Sequence, residues 1–165
     1  MELGAVRGNQ QALEHATHAL RLYQTLDNPV LNATALNSVG WCAALLGEYD
    51  QARSHCTAAL ALHRRHHERS NGEAYTLDSL GYIAHRTGQH ARAIDYYQQA
   101  LKLRRELGNT YEVANTLDGI GHPHLALGQH EQARLVWREA GELYQALHST
   151  TDAERVQQQL NALGI

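Results

Sequence analysis

The stretch TLDSLGYIAHRTGQHARA, Thr76 to Ala93, returns in its spacing as TLDGIGHPHLALGQHEQA, Thr116 to Ala133. Leu, Gly and Ala keep their places while the residues between them change. The same landmarks extend along the chain. Gly40, Gly81 and Gly121 recur at intervals of 41 and 40 residues, as do Gly47, Gly88 and Gly128, Ala52, Ala93 and Ala133, and Ala59, Ala100 and Ala140. Ala12 and Ala19 stand 40 residues before Ala52 and Ala59, whereas Gly8 stands only 39 before Gly47. A fixed period of this length marks stacked supersecondary units, none of which can bury its apolar face alone.

Within the middle unit, Leu77, Leu80, Gly81 and Ala84 follow the i, i+3, i+4, i+7 spacing that lines one helix face. Beyond Gly88 a second such face runs through Ala93, Ile94, Tyr97, Ala100 and Leu101. The two helices must pack against each other and against the next pair. Gly81 and Ala93 lack bulk and permit close crossings, which explains why their spacing is kept.

Composition agrees with helix throughout. The 165 residues are 43% apolar, enough for a sizeable core, and only two are proline. No sustained alternation of Val, Ile or Thr calls for strands. The net charge of -3 supplies no electrostatic footprint for nucleic acid, so a direct nucleic-acid partner is not expected. No apolar run approaches the ~20 residues that span a bilayer, and the first residues lack an export signal. No membrane association is expected, and the cytoplasm is the expected compartment. Cys42 and Cys56 are too few for a disulfide framework and read as reduced, buried residues.

Local punctuation divides the chain. Asn28 before Pro29 reads as an N-cap with proline in the first turn, and Ser70 with Glu73 and Thr151 with Glu154 have capping-box spacing. Gly108 fits a left-handed residue closing the helix that ends LKLRREL. Seven main helices are expected near residues 10–25, 29–46, 49–67, 71–87, 90–107, 110–127 and 130–147, with a shorter one over 152–163. The chain is expected to be one domain: a partial repeat at 1–27, repeats at 28–68, 69–108 and 109–148, and a capping helix at 149–165. In that last helix Val156, Leu160 and Leu163 share one side and shield the final repeat. Residues 1–9 offer no such cap, so this end would self-associate or dock to upstream sequence.

These residues resemble the tetratricopeptide repeat, whose pattern runs W-x2-L-G-x2-Y, then A-x3-F, then a late proline. The first element appears here as Leu36, Val39, Gly40, Ala43, then Leu77, Leu80, Gly81, Ala84, then Leu117, Ile120, Gly121, His124. The second appears as Ala52 to Cys56, Ala93 to Tyr97 and Ala133 to Trp137. The longer period and the missing proline depart from the pattern, and each second helix is expected to run longer. The resemblance implies an all-α fold, a right-handed solenoid of antiparallel helix pairs with about three complete repeats. The long variety, with endings such as LKLRRELGN, is similar to the C-terminal repeats of actinobacterial SARP-type and NTPase-linked transcriptional regulators. Long repeats of this kind also occur in kinesin light chains and spindle-orientation adaptors. Beginning inside an incomplete repeat suggests a piece of a longer polypeptide.

Opposite the inward face, at ~100° per residue, lies a second stripe. In the middle unit it comprises Tyr75, Asp78, Tyr82, His85 and Arg86. One unit earlier the positions are Thr34, Asn37, Trp41, Ala44 and Leu45, and one unit later Asn115, Asp118, His122, Leu125 and Ala126. In the family this stripe lines the concave groove that takes a ligand. An ordinary solvated face carries Lys and Glu rather than Trp41, Tyr75 and Tyr82. These rings either contact a ligand or pad the seam between adjacent first helices. Asn37, Asp78 and Asp118 recur at one position, where their oxygens either accept hydrogen bonds from a ligand or hydrate the groove. Family members that capture carboxylates use several Lys and Arg in the groove. Only Arg86 is basic here, so an acidic peptide tail is not the expected ligand.

The expected function is a non-enzymatic interaction module that binds a protein or peptide segment, another part of the parent chain being one candidate, as the C-terminal regulatory module of a larger bacterial transcriptional regulator. The alternatives are a sensor for a small effector or signalling peptide, and an adaptor or scaffold. Twelve histidines invite a metal reading, but His15 with His18, His66 with His67, and His122 with His124 lack completing ligands. No metal and no cofactor are expected. Asp78, His85 and His122 approximate an acid-base group, but without a nucleophile motif or a phosphate-binding loop no catalytic residues are assigned. Pro123, inside a first helix, removes an N–H and crowds the carbonyl of Gly119, either kinking that helix or leaving a bland irregularity.

Overall fold

The computed structural model describes residues 2–66 and 71–164. Among them the chain forms eight α-helices and no strand: α1 (Glu2–Thr25), α2 (Pro29–Leu45), α3 (Tyr49–Arg65), α4 (Asn71–Arg86), α5 (His90–Glu106), α6 (Thr110–Ala126), α7 (His130–Ala146) and α8 (Thr150–Ala162). The chain divides into two compact units, Met1–Ile83 and Ala84–Ile165. The all-α expectation holds, as do most helix boundaries to within one or two residues.

The turns show why the helices stop where they do. Gly47, Gly88, Gly108 and Gly128 each adopt a left-handed φ between 71° and 83°, a conformation that costs glycine nothing. The amide of the residue after the glycine then reaches back, as in Glu48 N to Ala43 O (2.9 Å) and Gln89 N to Ala84 O (2.8 Å). Asn28 caps α2 as its sequence indicates: Oδ1 accepts from the amides of Val30 and Leu31, both at 3.1 Å, with Pro29 in the first turn.

Four local expectations need correction or comment. α1 begins at Glu2 rather than near residue 10, because Gly4 and Gly8 each weaken a helix by only about 1 kcal/mol and the residues between include good helix formers. The Thr151–Glu154 capping box does not form. α8 starts at Thr150 with Ser149 as its N-cap, and the Ser149 hydroxyl donates to Asp152 Oδ2 at 2.7 Å. The Ser70–Glu73 pair lies outside the described residues through Ser70. Pro123 is fully buried within α6, whose ladder resumes immediately: Leu127 N donates to Pro123 O at 3.1 Å.

In the first unit, Leu20, Ala35 and Val39 form a core with Leu13, Ala16, Tyr23 and Leu36 at its margin. α2 crosses α3 closely at Gly40, where a Cβ would meet Cys56 Sγ and stand 2.9 Å from Ala52 O. In the second unit, Val113, Leu117, Trp137, Tyr144 and Val156 build one cluster, and Ala84, Ala93, Tyr97 and Ile120 another. Gly121 repeats the close crossing, since a Cβ there would strike the Trp137 ring. Val156 is fully buried, so α8 covers the apolar edge of α7.

The repeat register also aligns His63, Arg104 and Tyr144, all buried near the ends of second helices. Arg104 Nη1 donates to Glu112 O at 2.9 Å and to Thr116 Oγ1, while Nη2 stands 3.2 Å from Glu112 Oε2. Its charge is tolerated in the core because carboxylate, carbonyl and hydroxyl surround it.

Candidate functional site

The stripe in the first unit is carried by α2 and the first three turns of α4. Trp41 is 38% and Tyr75 43% exposed, large values for rings of this size. Trp41 and half-buried Tyr82 meet edge to face with centroids 5.0 Å apart. The rings of Trp41 and Tyr82 thus pack on each other across neighbouring first helices, while Trp41 and Tyr75 still present surface. Thr34 is exposed, its hydroxyl donating to Val30 O at 3.1 Å. Asn37 is partly buried, and its Oδ1 accepts from the Cys56 thiol at 3.6 Å. Asp78 is half-buried.

In the second unit the stripe is more polar and more tightly connected. His85 Nδ1 faces His90 Nδ1 at 3.1 Å, and the His85 ring lies 6.2 Å from that of His122. His122 packs edge to face on Trp137 (5.5 Å), whose indole N–H donates to Asp118 O at 3.1 Å. Asn115 Oδ1 accepts from the Tyr144 hydroxyl at 2.5 Å. Arg86 and Leu125 are exposed. Asp118 departs from the expectation of an open, hydrated position: it is only 6% exposed and is paired with Arg155. The cause is α8, which brings Arg155 over α6 and closes water off from the carboxylate.

Arg155 organises this end of the unit. It pairs with Asp118 Oδ2, donates through Nη2 to Asp152 Oδ1 at 2.8 Å, and lies 6.0 Å over the Tyr144 ring. Tyr111 donates to Asp152 Oδ2 at 3.1 Å. Burial opposes the charge on Arg155, but hydrogen bonds to Asp152 and Asp118 outweigh it and hold the guanidinium above its ordinary range. The hydrogen bond from Arg155, then that from Ser149, pulls Asp152 down. Burial, reinforced by Asp118, pushes the Tyr144 phenol up. Burial lowers His122, with Asp118 opposing and Arg155 adding to the shift. His85 is lowered by burial and then by His90 and His122 beside it.

Arg155, Gln159, Tyr144 and His90 were not among the residues the sequence singled out. One signal was available: Arg155 lies 40 residues past Asn115 and so falls on the stripe position of Thr34, Tyr75 and Asn115. Reading α8 solely as a cap hid it. Among the described residues no three His, Cys, Asp or Glu side chains are grouped to hold a metal ion.

Comparison with known proteins adds the following. A family model described as tetratricopeptide repeat matches residues 31–106 and 72–146. Response regulator aspartate phosphatase J of Bacillus subtilis (strain 168) is 28% identical over 98 residues, 59% of this chain and 26% of the relative. The chain thus spans about a quarter of that relative. Among solved structures, a Rap protein complexed with competence and sporulation factor superposes with a TM-score of 0.85 at 16% identity, over 96% of this chain and 44% of that one. BtubC from P. vanneervenii gives 0.72 at 18% identity, covering 94% and 73%. A putative kinesin light chain from Podosopora anserina gives 0.68 at 12% identity, covering 94% and 86%. At these identities the structural likenesses speak to the fold, that of a tetratricopeptide-type α-solenoid.

Proposed function

Because the chain belongs to the tetratricopeptide repeat family, generally a non-enzymatic scaffold for protein interaction, we propose that its first-helix stripe binds a polypeptide segment. The observation that carries this reading is the exposure of Trp41 and Tyr75 on one stripe of the first unit. Large rings with exposed faces are costly in water and dominate binding energies when a partner covers them. In the same unit the stripe residues Thr34, Asn37 and Asp78 supply donors and acceptors for a polypeptide backbone beside these rings. The Rap protein solved with competence and sporulation factor supports the reading, since its fold is shared over nearly all of this chain.

The finer reading is that the module regulates a larger bacterial transcriptional regulator. Its support is the kinship with a bacterial response regulator phosphatase and the repeat endings such as LKLRRELGN. The binding claim is tested by selecting peptides from a random synthetic library on the wild-type domain. Calorimetry then compares their affinity for the wild type and for Trp41→Ala/Tyr75→Ala. Loss of tenfold or more, equivalent to about 1.4 kcal/mol, is expected. Equal affinity, or a library that yields no binder, contradicts the reading.

A further inference from the structure

One carboxylate oxygen in the second unit is left without a donor. Asp118 is 6% exposed, and Arg155 holds its Oδ2, yet the buried Oδ1 accepts no hydrogen bond among the described residues. Gln159 Oε1 is a second buried acceptor in the same condition. His122 Nε2 lies between them, 4.0 Å from Asp118 Oδ1 and 3.4 Å from Gln159 Nε2. With the Gln159 amide donating to it, that nitrogen is an acceptor and has no proton to offer Asp118. Buried oxygens are nearly always hydrogen-bonded, and a charged one left bare is among the costliest polar defects. Such a defect is tolerated where a ligand supplies the missing donor.

The chemistry of that donor is restricted by what surrounds it. Two carboxylates, Asp118 and Asp152, face a single guanidinium, that of Arg155, so the cluster retains an excess of negative charge. A cation is therefore favoured over a neutral amide. A guanidinium binds carboxylate best as a two-pronged fork, and Arg155 already occupies Asp118 Oδ2. A primary ammonium is compact and carries three donors and no acceptor. It matches the two unsatisfied acceptors, Asp118 Oδ1 and Gln159 Oε1; His122 Nε2 beside them is already occupied by the Gln159 amide. Access is from the stripe, because the side chains of His122 and Arg155 are both 45% exposed.

We propose that Asp118 and Gln159 form a receptor for a primary ammonium, supplied by a lysine side chain or the free amino terminus of a polypeptide segment bound on the stripe of the second unit. This rests on the reading that the stripe binds a polypeptide segment. Asp118 supplies the charge, Gln159 Oε1 the second acceptor, His122 holds the Gln159 amide, and Arg155 holds the carboxylate in place from its other oxygen.

The experiment uses the library-selected peptides in two arms, one with lysine replaced by norleucine and one with the amino terminus acetylated. Removing the ammonium in one arm should cost at least tenfold in affinity, and the arm that loses binding identifies its source. Asp118→Asn should weaken the ammonium-bearing peptide at least tenfold and leave the neutral analogue unchanged. Gln159→Leu, which keeps the Asp118–Arg155 pair, should act in the same direction and guards against loss of folding, checked by melting temperature. Peptides that bind the domain but are indifferent to ammonium removal and to both variants overturn this inference while leaving the binding reading intact. Should no peptide bind, the pocket is judged by titrating n-butylammonium chloride against n-butanol and following the Trp137 indole resonance by NMR. A saturable shift with the amine alone supports the receptor, and its absence overturns it.

Discussion

Gly40 and Gly141 make a paired test of how the helices are held together, because the same substitution should have opposite signs at the two sites. Within a helix, Gly→Ala contributes about 1 kcal/mol through propensity. At Gly141 the added methyl would stand 3.7 Å from Val156 Cγ1, an ordinary contact, so that gain should appear in full. At Gly40 the methyl would meet Cys56 Sγ, Ala52 O at 2.9 Å and Cys56 N at 3.2 Å. Two of these are backbone atoms of α3 and cannot rotate away, so the helices must part. Overpacking of this kind costs about 3 kcal/mol at its upper end, leaving a net loss near 2 kcal/mol. For a chain of this length about 1 kcal/mol moves the melting temperature by about 2–4 °C. Circular dichroism melts should therefore show Gly141→Ala raised by about 2–4 °C and Gly40→Ala lowered by about 4–8 °C. A Gly40→Ala protein as stable as the wild type would refute the close α2–α3 crossing.

Further outcomes follow from the buried polar groups. Arg104→Met removes the guanidinium from beside the partly buried Glu112 carboxylate and should cost about 3 kcal/mol in urea unfolding, with part recovered in Arg104→Met/Glu112→Gln. His85 and His122 are both lowered in the fold, so the unfolded chain takes up protons first; stability should fall as pH drops below 6.5 and level off below the folded values. His85 faces His90 and Arg86, and His122 faces Asp118, Arg155, Gln159 and Trp137. Urea midpoints against pH should flatten in His85→Gln/His122→Gln. Burial pushes the Cys56 thiol up to about 12 and raises half-exposed Cys42 less securely, so mass spectrometry after brief native alkylation should find label on Cys42 and none on Cys56.

The repeat was legible in the sequence because its cause is local and periodic. Gly40 and Gly121 recur since each helix pair has a crossing that admits no side chain, and Gly47, Gly88 and Gly128 recur since each turn needs a left-handed residue. Trp41 and Tyr75 were placed on the stripe by helical phase alone, and their exposure agrees with that placement. What escaped notice depends on contacts between elements far apart in the chain. Asp118 is buried by Arg155, 37 residues later, and nothing near Asp118 announces it. Arg104 sits in an exposed-looking run, LKLRREL, and its burial becomes intelligible only when Glu112 and Thr116 are seen around it. His85 and His90 face each other across a turn whose geometry Gly88 sets.

The most direct measurement is a crystal structure of the domain with a library-selected peptide bound. The account predicts that the peptide lies along α2 and α4 in the first unit, against Trp41 and Tyr75. A peptide seated instead on the outer faces of α3, α5 or α7, for example over exposed Leu135, would contradict it.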